Sequence, residues 1–413
     1  MFDVKALREQ FPSLHRIRAA AARTPIFLDG PGGTQVPQRV IDAMVHYLTT
    51  CNANHGGVFT TSRESDSIVQ EAHQAAADLL NASSPDEIIF GANMTTLAFH
   101  LSRAFGQTLR PGDEVLVTRL DHDANVSPWA LAARDAGAAT RFVDIHPEDC
   151  TLDLDDLQRQ LTPRVRLVAV TCASNAVGTV TDVRRITRLA HEAGALVFLD
   201  AVHYAPHRLI DVQAWDCDFL ACSAYKFFGP HVGILWGKRE HLERLPAYKL
   251  RPATEELPGR WMTGTPNQEG LAGVAAAIDY LASIDSHAER NDSRRQRLAR
   301  AFQVIEDYER KLAQRLLDGL AARPRFRVWG ITPRERLGER VPTVSITAAD
   351  HTPLQIAEHL AQREIYVWNG NMYALELTER LGLEQRGGVL RLGLVHYNTA
   401  EEIDVLLQAL DEM

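Results

Sequence analysis

Between residue 37 and about residue 280, short apolar runs alternate with helical stretches. Seven of these runs have the length and composition of strands, at 87–90, 114–117, 140–143, 165–170, 196–199, 219–222 and 232–236. A strand that is apolar throughout buries both of its faces, and alternation with helices is typical of a mostly parallel sheet covered on both sides. The sequence therefore predicts an α/β fold in which ligands bind outside the carboxyl ends of the strands.

The pattern changes after residue 267, where long helical stretches precede a mixture of strands and helices. We predict a large domain over residues 26–280 with the seven-stranded sheet, and a smaller α+β domain over residues 281–413. Residues 1–25 are interpreted as an N-terminal arm that packs with the small domain. Helices are predicted at 39–48, 65–80, 128–135, 154–161, 183–193, 271–284, 292–321, 353–363 and 400–410, and strands of the small domain at 326–329, 343–346, 365–368 and 389–394.

The composition is that of an ordinary globular protein with an acidic excess. Hydrophobic residues make up 45% of the 413 residues and charged residues 23%, and the net charge is -9. This charge argues against nucleic acid or an anionic membrane as the main partner. No apolar run approaches the ~20 residues of a membrane helix, and the N-terminus lacks the apolar core of an export signal. We therefore expect a cytoplasmic protein.

The cysteines indicate neither a disulfide framework nor a metal site. They are odd in number and lack metal-type spacing: Cys51, Cys150, Cys172, Cys217 and Cys222. We predict reduced thiols in a cytosolic protein, and no metal. The last three lie inside or beside apolar runs, where cysteine behaves as a small core residue.

An acid and a lysine follow two of the predicted strands. Asp200 ends the run 196–199, and Lys226 follows the run 219–222. Both are unusual beside buried strands, because Asp and Lys are almost never buried unpaired. Pyridoxal 5'-phosphate (PLP) needs a lysine for its Schiff base and an acid to keep its pyridine nitrogen protonated. Together these residues predict a PLP site.

The residues around this lysine also carry a family resemblance. Residues 218–226, DFLACSAYK, followed by Gly229 and Gly233, resemble the cofactor-lysine signature of the class V PLP-dependent aminotransferase superfamily, of fold type I. Within it, the chain is most similar to the cysteine desulfurase and selenocysteine lyase-like branch, over residues 27–398. Tyr225 stands where most desulfurases have His, and kynureninase-like members carry Tyr at this position.

The resemblance implies four contacts to the cofactor phosphate. Thr95 and Thr96 follow a predicted strand and open a helix, where backbone N–H groups suit a phosphate. Ser223 precedes the lysine by three residues and is implied as a third contact. Thr265 resembles the residue that reaches the phosphate of the partner subunit's cofactor. The resemblance thus implies a homodimer with shared active sites.

Residues around the cofactor ring are implied in the same way. His122 falls on the position of the histidine that stacks on the pyridine ring, where a flat side chain can also carry protons. Asn175 resembles the asparagine that hydrogen-bonds the phenolic oxygen of PLP. His203 takes the Gln-or-His position beside the same oxygen. His122 and His203 are therefore predicted to be catalytic together with Lys226 and Asp200.

Three residues are implied in binding the substrate, a small α-amino acid. Arg391 resembles the arginine that grips the α-carboxylate, and its guanidinium fork suits a carboxylate better than a lysine does. Asn54 and His55 lie on the substrate-side loop of the family. Desulfurases tend to have an arginine just after this histidine, whereas residues 56–57 are glycines here.

One element of a cysteine desulfurase is missing. Residues 367–374 correspond to the loop that carries the nucleophilic cysteine, and they contain none, since every cysteine precedes residue 223. Persulfide transfer requires a thiolate. We therefore expect a desulfurase-like lyase that forms no protein persulfide.

Other PLP-dependent reactions would use the same residues. After Lys226 removes the α-proton, loss of a β- or γ-substituent gives a lyase, reprotonation at the cofactor carbon an aminotransferase, and reprotonation at the α-carbon an epimerase. A non-catalytic relative that keeps only the fold is a further alternative. Retention of Lys226, Asp200, His122 and Arg391 together argues against it.

Overall fold

The computed structural model describes residues 2–16, 24–285, 289 and 291–413. The strands in these ranges are β1 (Ile26–Phe27), β2 (Ile88–Gly91), β3 (Glu114–Thr118), β4 (Ala139–Val143), β5 (Ile145–His146), β6 (Thr151–Leu152), β7 (Val165–Thr171), β8 (Leu196–Asp200), β9 (Phe219–Ser223), β10 (Gly233–Gly237), β11 (Phe326–Trp329), β12 (Thr343–Ala348), β13 (Ile365–Tyr366), β14 (Trp368–Gly370) and β15 (Val389–Gly393). The α-helices are α1 (Val4–Arg8), α2 (Gln38–His46), α3 (Thr60–Leu80), α4 (Met94–Gly106), α5 (Ser127–Asp135), α6 (Leu154–Gln160), α7 (Val183–Glu192), α8 (Val212–Trp215), α9 (Arg239–Arg244), α10 (Gln268–Ala282), α11 (Arg294–Ala321), α12 (Pro353–Ala361), α13 (Leu375–Arg380) and α14 (Ala400–Asp411).

A mostly parallel sheet confirms the predicted α/β fold. Its seven strands lie in the order β2-β10-β9-β8-β7-β3-β4. The pairs from β9 to β4 are all parallel, and β10 is antiparallel to both β9 and β2. Each of the seven predicted runs forms one of these strands, with ends that differ by at most one residue.

Apolar cores lie on both faces of this sheet. In β7, Val168 and Val170 belong to one cluster of buried side chains, whereas Leu167 and Ala169 belong to another. Successive side chains of a strand point to opposite faces, so the two clusters cover the two sides of the sheet. Burial on both sides is why the strand reads as a continuous apolar run in the sequence.

A second, antiparallel sheet lies in the C-terminal part of the chain. Its order is β11-β12-β15-β14, and a separate apolar core packs against it with Leu316 of α11 and Leu406 of α14. The sequence predicts one strand at 365–368, but the structure divides this segment. β13 pairs with β1, whereas β14 joins the four-stranded sheet. The division arises because the two halves hydrogen-bond to different sheets.

The largest error in a predicted helix start is at α3. α3 begins at Thr60 rather than at residue 65. Its first residues, TTSRE, are polar, so no apolar periodicity marks where the helix begins. α2 also differs, because it continues beyond His46 as a π-helical turn over Tyr47–Cys51.

The N-terminal segment contacts elements from distant parts of the chain. Phe11 packs edge-on against Phe228, Tyr280 and Tyr397, and Arg8 forms an ion pair of 2.9 Å with Glu402 of α14. Part of the predicted arm, residues 17–23, lies outside the described residues. The division into segments 1–25, 26–280 and 281–413 stays a prediction. No helix within the described ranges is long and apolar enough to cross a membrane.

Candidate active site

A cleft of about 800 Å³ opens at the carboxyl ends of β7, β8 and β9. Its other walls are the start of α4, the turn at Pro31 and Gly32, and residues 368–373. Nine of the twelve residues predicted for the site line this cleft: Thr95, Thr96, His122, Asn175, Asp200, His203, Ser223, Lys226 and Arg391. Strands far apart in sequence thus bring their terminal side chains to one place, as an open parallel sheet does.

The three remaining predicted residues lie elsewhere. Asn54, His55 and Thr265 are exposed and do not line the cleft of their own chain. The backbone N–H of His55 donates to Asn54 Oδ1 at 2.9 Å, so this loop is partly held by its own side chain. Their roles in the site stay predictions.

Lys226 enters the cleft from a short 3-10 turn directly after β9. Its ammonium group donates to the carbonyl oxygen of Pro31 and lies 4.6 Å from the centre of the Tyr225 ring. Burial, and then the positive charge of Arg391, lower the pKa of Lys226 to about 7, although Asp200 opposes this shift. A large fraction of the amine is therefore neutral, and nucleophilic, near neutral pH.

Asp200 is the last residue of β8 and is 4% exposed. Its Oδ1 accepts a hydrogen bond of 2.8 Å from the N–H of Val202. Burial raises the pKa of Asp200 to about 6, while this hydrogen bond and the charge of Lys226 act in the opposite direction. At neutral pH the carboxylate is mostly ionised, so it can keep a proton on a basic ring nitrogen.

The structure fixes the protonation of His122. Its Nδ1 accepts a hydrogen bond of 3.0 Å from the N–H of Ala124, so the proton of the neutral ring lies on Nε2. Burial, followed by the charge of Lys226, lowers the pKa of His122 to about 4. The ring of Tyr373 stacks on it, with centroids 5.4 Å apart and planes 22° apart. The histidine therefore presents an uncharged, flat ring to the cleft.

A buried polar network holds the turn that presents His122. Asp121 accepts hydrogen bonds from Thr118 and from Asn125, and Asn125 accepts one from the indole N–H of Trp129. Burial holds the pKa of Asp121 well above its usual range. The sequence analysis missed this network, because a carboxylate next to a loop histidine carries no signal of its burial.

The amino end of α4 opens onto the cleft. Asn93 caps it by accepting hydrogen bonds from the N–H and the hydroxyl of Thr96, and Ser223 Oγ accepts one of 3.0 Å from the N–H of Met94. Gly233 allows this approach, since a Cβ there would lie 2.3 Å from the backbone of Asn93. The exposed Thr95 and the positive end of the helix dipole suit an anion such as phosphate.

Asn175 and His203 make contacts that the sequence could not indicate. The amide of Asn175 donates to the carbonyl of Met372 at 2.8 Å, and its Oδ1 is buried without a hydrogen-bond partner in the described part of the chain. His203 Nε2 is hydrogen-bonded to Thr343 Oγ1 at 2.9 Å. Both side chains thus join the cleft floor to residues of the C-terminal part of the chain.

Arg391 is a buried cation that faces the charge of Asp29 but forms no ion pair within the described residues. It is 5% exposed, and its Nη1 donates to the carbonyl of Asn175 at 2.9 Å. Among the described residues, no carboxylate forms an ion pair with it. Burial lowers the pKa of Arg391 to about 10, which still leaves it charged. A buried guanidinium with free donors is suited to an anionic ligand.

Aromatic side chains at the rim were not identified from the sequence. Trp368 and Tyr373 line the cleft with exposed fractions of 52% and 72%. Met372 and Tyr373 both have a left-handed backbone, with φ of 57° and 56°, which turns the loop over the cleft. The carbonyl of Tyr373 accepts a hydrogen bond of 2.7 Å from the N–H of Asp123. The aromatic residue types in this segment were visible in the sequence. Whether their side chains point into the cleft depends on the rare backbone conformation of the loop.

The cysteines lie away from this chemistry. All five are buried, and none lines the cleft. Burial raises the pKa of the thiols of Cys150, Cys172, Cys217 and Cys222. Such thiols carry little of the thiolate that nucleophilic attack requires.

The residues of the cleft fit PLP. They offer a lysine with a lowered pKa, a buried acid, a helix start for a phosphate, and a buried amide oxygen that lacks a partner. These are the donor and acceptor types that the aldehyde, ring nitrogen and phosphate of PLP require.

Known proteins resemble this chain along its length. The model of the family described as aminotransferase class-V matches residues 26–406. A cysteine desulfurase of Serratia proteamaculans (strain 568) is 31% identical, over 100% of this chain and 98% of its own length. The aminotransferase-like protein FGM3 of Gibberella zeae is 33% identical, over 99% of this chain and 98% of its own. The solved structure of the cysteine desulfurase CsdA from Escherichia coli, in an S-sulfonic acid form, has a TM-score of 0.85 at 28% identity, covering 100% of this chain and 98% of that one.

Proposed function

Since the chain belongs to the aminotransferase class-V family and is a PLP-dependent enzyme of the cysteine desulfurase-like branch, we propose that it is a lyase acting on a small α-amino acid. It cleaves a Cβ–S or related bond without forming a persulfide on the protein. The observation that carries this proposal is a cleft that holds a reactive lysine and an unpaired arginine but no cysteine.

The cofactor would be held by residues at the carboxyl edge of the sheet. Lys226 would bond to its aldehyde carbon, Asp200 would face its ring nitrogen, and the start of α4 with Thr95 would receive its phosphate. His122 would lie on its ring, and Asn175 and His203 near its phenolic oxygen. When bound, PLP supplies an electron sink that makes the α-proton of an amino acid removable.

The residues of the chain then handle charge and protons. Arg391 would bind the α-carboxylate of the substrate through its fork of N–H donors and thereby orient the α-carbon. The amine of Lys226, with a pKa of about 7, is suited to accept the α-proton at Nζ near neutral pH. The Nε2–H of the neutral His122 is a hydrogen-bond donor available to a leaving group.

The aromatic rim supports the absence of a persulfide step. Residues 368–373, where a desulfurase carries its cysteine, contribute Trp368 and Tyr373 to the cleft. With every thiol of the chain buried and none lining the cleft, no thiol is in position to attack a substrate sulfur. These aromatic side chains would instead shape the space for the substrate side chain.

An aminotransferase is the second candidate, and an epimerase the third. The similarity to the aminotransferase-like protein of Gibberella zeae supports transamination. All three reactions begin with removal of the α-proton by Lys226 and differ only in the atom that is protonated or expelled next.

Product analysis separates elimination from transamination. The purified holoenzyme is incubated with a panel of amino acids that includes cysteine, and sulfide, ammonia, pyruvate and amine transfer to added 2-oxo acids are measured. We expect elimination products and no protein mass increase of one sulfur atom. Amine transfer that depends on a 2-oxo acid would instead establish the aminotransferase, and efficient persulfide formation would contradict the proposal.

The cofactor lysine is tested by absorbance. Wild-type protein with PLP should show the visible band of a lysine-bound cofactor, and Lys226→Ala should lack it. Lys238→Ala, which removes a lysine remote from the cleft beside Asp216, is the matched control and should keep the band. A band that persists in Lys226→Ala would refute the assignment of Lys226.

We also propose that the enzyme is a homodimer. Ile41, Val45 and Leu48 are exposed on one side of α2 and its π-helical extension, and Val58 and Phe59 are exposed nearby in sequence, with Val58 88% exposed. Exposed apolar patches of this kind are typical of interaction sites. The loop with Asn54 and His55 lies between these two groups in sequence, so a second copy on this face would bring the loop toward another cleft.

The cysteines, all free, support the prediction of a cytoplasmic location.

A further inference from the structure

A histidine and a glutamate lie buried behind the cleft, outside the residues assigned to the chemistry. His207, in the turns that follow β8, is 1% exposed, and Glu309, in the middle of α11, is 2% exposed. The Nδ1 of His207 lies 2.8 Å from Oε2 of Glu309. The other oxygen of Glu309 is buried without a hydrogen-bond partner in the described ranges. Burial of such a pair is unfavourable by itself and is poor evidence of a role in stability alone.

His207 contacts a residue that lines the cleft. His203 precedes it by one helical turn, and the N–H of His207 donates to the carbonyl of Tyr204 at 3.0 Å within this segment. The His203 and His207 rings meet nearly at right angles, with centroids 5.3 Å apart and planes at 77°. Thr343 holds the Nε2 of His203 at 2.9 Å. The orientation of His203 is therefore set by Thr343 and by the ring of His207.

Burial raises the pKa of Glu309, whereas the charge of His207 and its hydrogen bond oppose that shift. The ionised carboxylate can only accept hydrogen bonds, so in that state the proton of the pair lies on Nδ1 of His207. This contact fixes both the ring angle and the tautomer of His207, as a carboxylate does for histidines in other functional sites. The contact also joins α11 to the turn after β8. Glu309 thereby influences the position of His203, although Glu309 itself does not line the cleft.

The surroundings of the pair are rich in cations. The charged or titratable groups that face it are His203, Arg208, Glu306, Tyr308, Arg310, Arg340 and His396. Lys226 and Arg391 face His203 from the cleft, and burial together with His207 and these two cations holds the pKa of His203 well below its usual range. Glu309 is the fully buried carboxylate in this group, whereas the side chain of Glu306 is 28% exposed.

We propose that the His207–Glu309 pair is a positioning device for the active site: Glu309 fixes the His207 ring, and His207 fixes the orientation of His203 beside the cofactor. Both are positioning residues, because neither lines the cleft. This inference rests on the proposed function, since that function places His203 next to bound PLP.

The pH dependence of the visible band of the holoenzyme tests the inference. Glu309→Gln removes the buried negative charge and leaves the neighbouring cations unopposed, which disfavours protonation of the cofactor–lysine group. We expect the midpoint of the absorbance titration to fall by about 0.5 pH unit or more. Glu306→Gln is the matched control, three residues earlier in α11, and its solvent-screened charge should leave the midpoint within about 0.2 pH unit of wild type.

A second variant, with a predicted midpoint shift of opposite sign, distinguishes a specific effect from misfolding. His207→Asn leaves the carboxylate of Glu309 without its imidazole, so the midpoint should rise rather than fall. Thermal unfolding is recorded for every variant. A lower melting temperature with an unchanged midpoint in both variants would overturn the inference, because the pair would then serve stability alone.

The outcomes also separate this inference from the proposed function. A wild-type protein without a visible band after PLP addition would contradict the assignment of the cofactor site. A normal wild-type band with unmoved midpoints in Glu309→Gln and His207→Asn would contradict only the role of the buried pair.

Discussion

Lys226 shows how one residue acquires reactivity from its surroundings. A lysine in water is fully protonated at neutral pH, with a pKa of about 10.4. In the cleft, burial and Arg391 outweigh the attraction of Asp200 and Asp29, and its pKa falls to about 7. The arginine that would bind substrate thus also helps to activate the lysine.

We expect the capture of PLP by the apoenzyme to report this pKa. Only the neutral amine attacks an aldehyde, so the rate of band formation should rise as pH increases from about 6 to about 8 and then level off. Stopped-flow absorbance at several pH values measures the rate. Arg391→Met, which removes the neighbouring cation, should move the midpoint to higher pH. A wild-type midpoint near that of a free lysine would contradict the lowered pKa.

Arg391 should control substrate binding more than the rate of the chemical step. Arg391→Lys keeps the charge but loses the two-pronged contact to a carboxylate, and we expect KM to increase about 10-fold to 100-fold. Steady-state kinetics with an active amino acid measures the change. Arg386→Lys is the control, since Arg386 is exposed and its guanidinium donates to the carbonyl of Ala348, outside the cleft. A KM unchanged in Arg391→Lys would remove Arg391 from the substrate site.

At the scale of elements, Asp218 links several of them at the amino end of β9. Its carboxylate accepts hydrogen bonds from the N–H of Val197 at 2.7 Å, from His191 at 2.9 Å and from His241 at 3.1 Å. Lys238 lies 3.2 Å from it. One carboxylate thus ties β8, α7 and α9 to the edge of the sheet opposite the cleft.

Loss of this carboxylate should destabilise the fold. We expect Asp218→Asn to lower the free energy of unfolding by about 2–4 kcal/mol, because the buried partners lose a charged acceptor. Chemical denaturation measures the loss. Asp216→Asn is the control, since its side chain is 70% exposed, and it should change stability by less than about 1 kcal/mol. Equal effects of the two substitutions would contradict the central role of Asp218.

The stability lost in Asp218→Asn should decrease at both low and high pH. Burial acts to raise the pKa of Asp218, but hydrogen bonds from His191 and His241 outweigh it and hold this pKa below its usual range. The contribution of Asp218 is therefore present above about pH 4 and is lost as pH falls through the folded pKa. Asp218 raises the pKa of His191, so that contribution is complete below about pH 6.5 and is lost as pH rises through the folded pKa. The difference between wild type and Asp218→Asn should therefore be largest between about pH 4 and pH 6.5.

For the whole molecule, the exposed apolar face of α2 is the feature that a single chain leaves unexplained. Val45 is 53% exposed and Leu48 is 49% exposed in it. If a second copy covers this face, Val45→Glu should place an unpaired charge in the interface and shift dimers to monomers. Sedimentation at micromolar concentration measures the change. Val405→Glu, at another exposed valine, is the control and should leave the dimer intact. A monomeric wild-type protein would contradict the proposed homodimer.

The main sheet could be predicted because its signal is local. Each of its strands is buried on both faces, so each leaves a continuous apolar run in the sequence. Segments that are only partly buried were harder to predict. The start of α3 is polar, and within residues 365–370 the chain passes from one sheet, at β13, to another, at β14. Neither feature leaves a periodic pattern in the sequence.

The sequence by itself determined the α/β architecture and, through Asp200 and Lys226, the PLP cofactor, because residue type at the carboxyl end of a buried strand reflects chemistry more than packing. The resemblance to the family indicated the other seven predicted residues that meet in the cleft. Only the tertiary structure decided the pKa of Lys226, the tautomer of His122, the absence of an ion-pair partner for Arg391 in the described residues, and the His207–Glu309 pair. Each of these depends on burial and on charges from residues far apart in the chain, and electrostatic energy is set by distance in space rather than by position in the sequence.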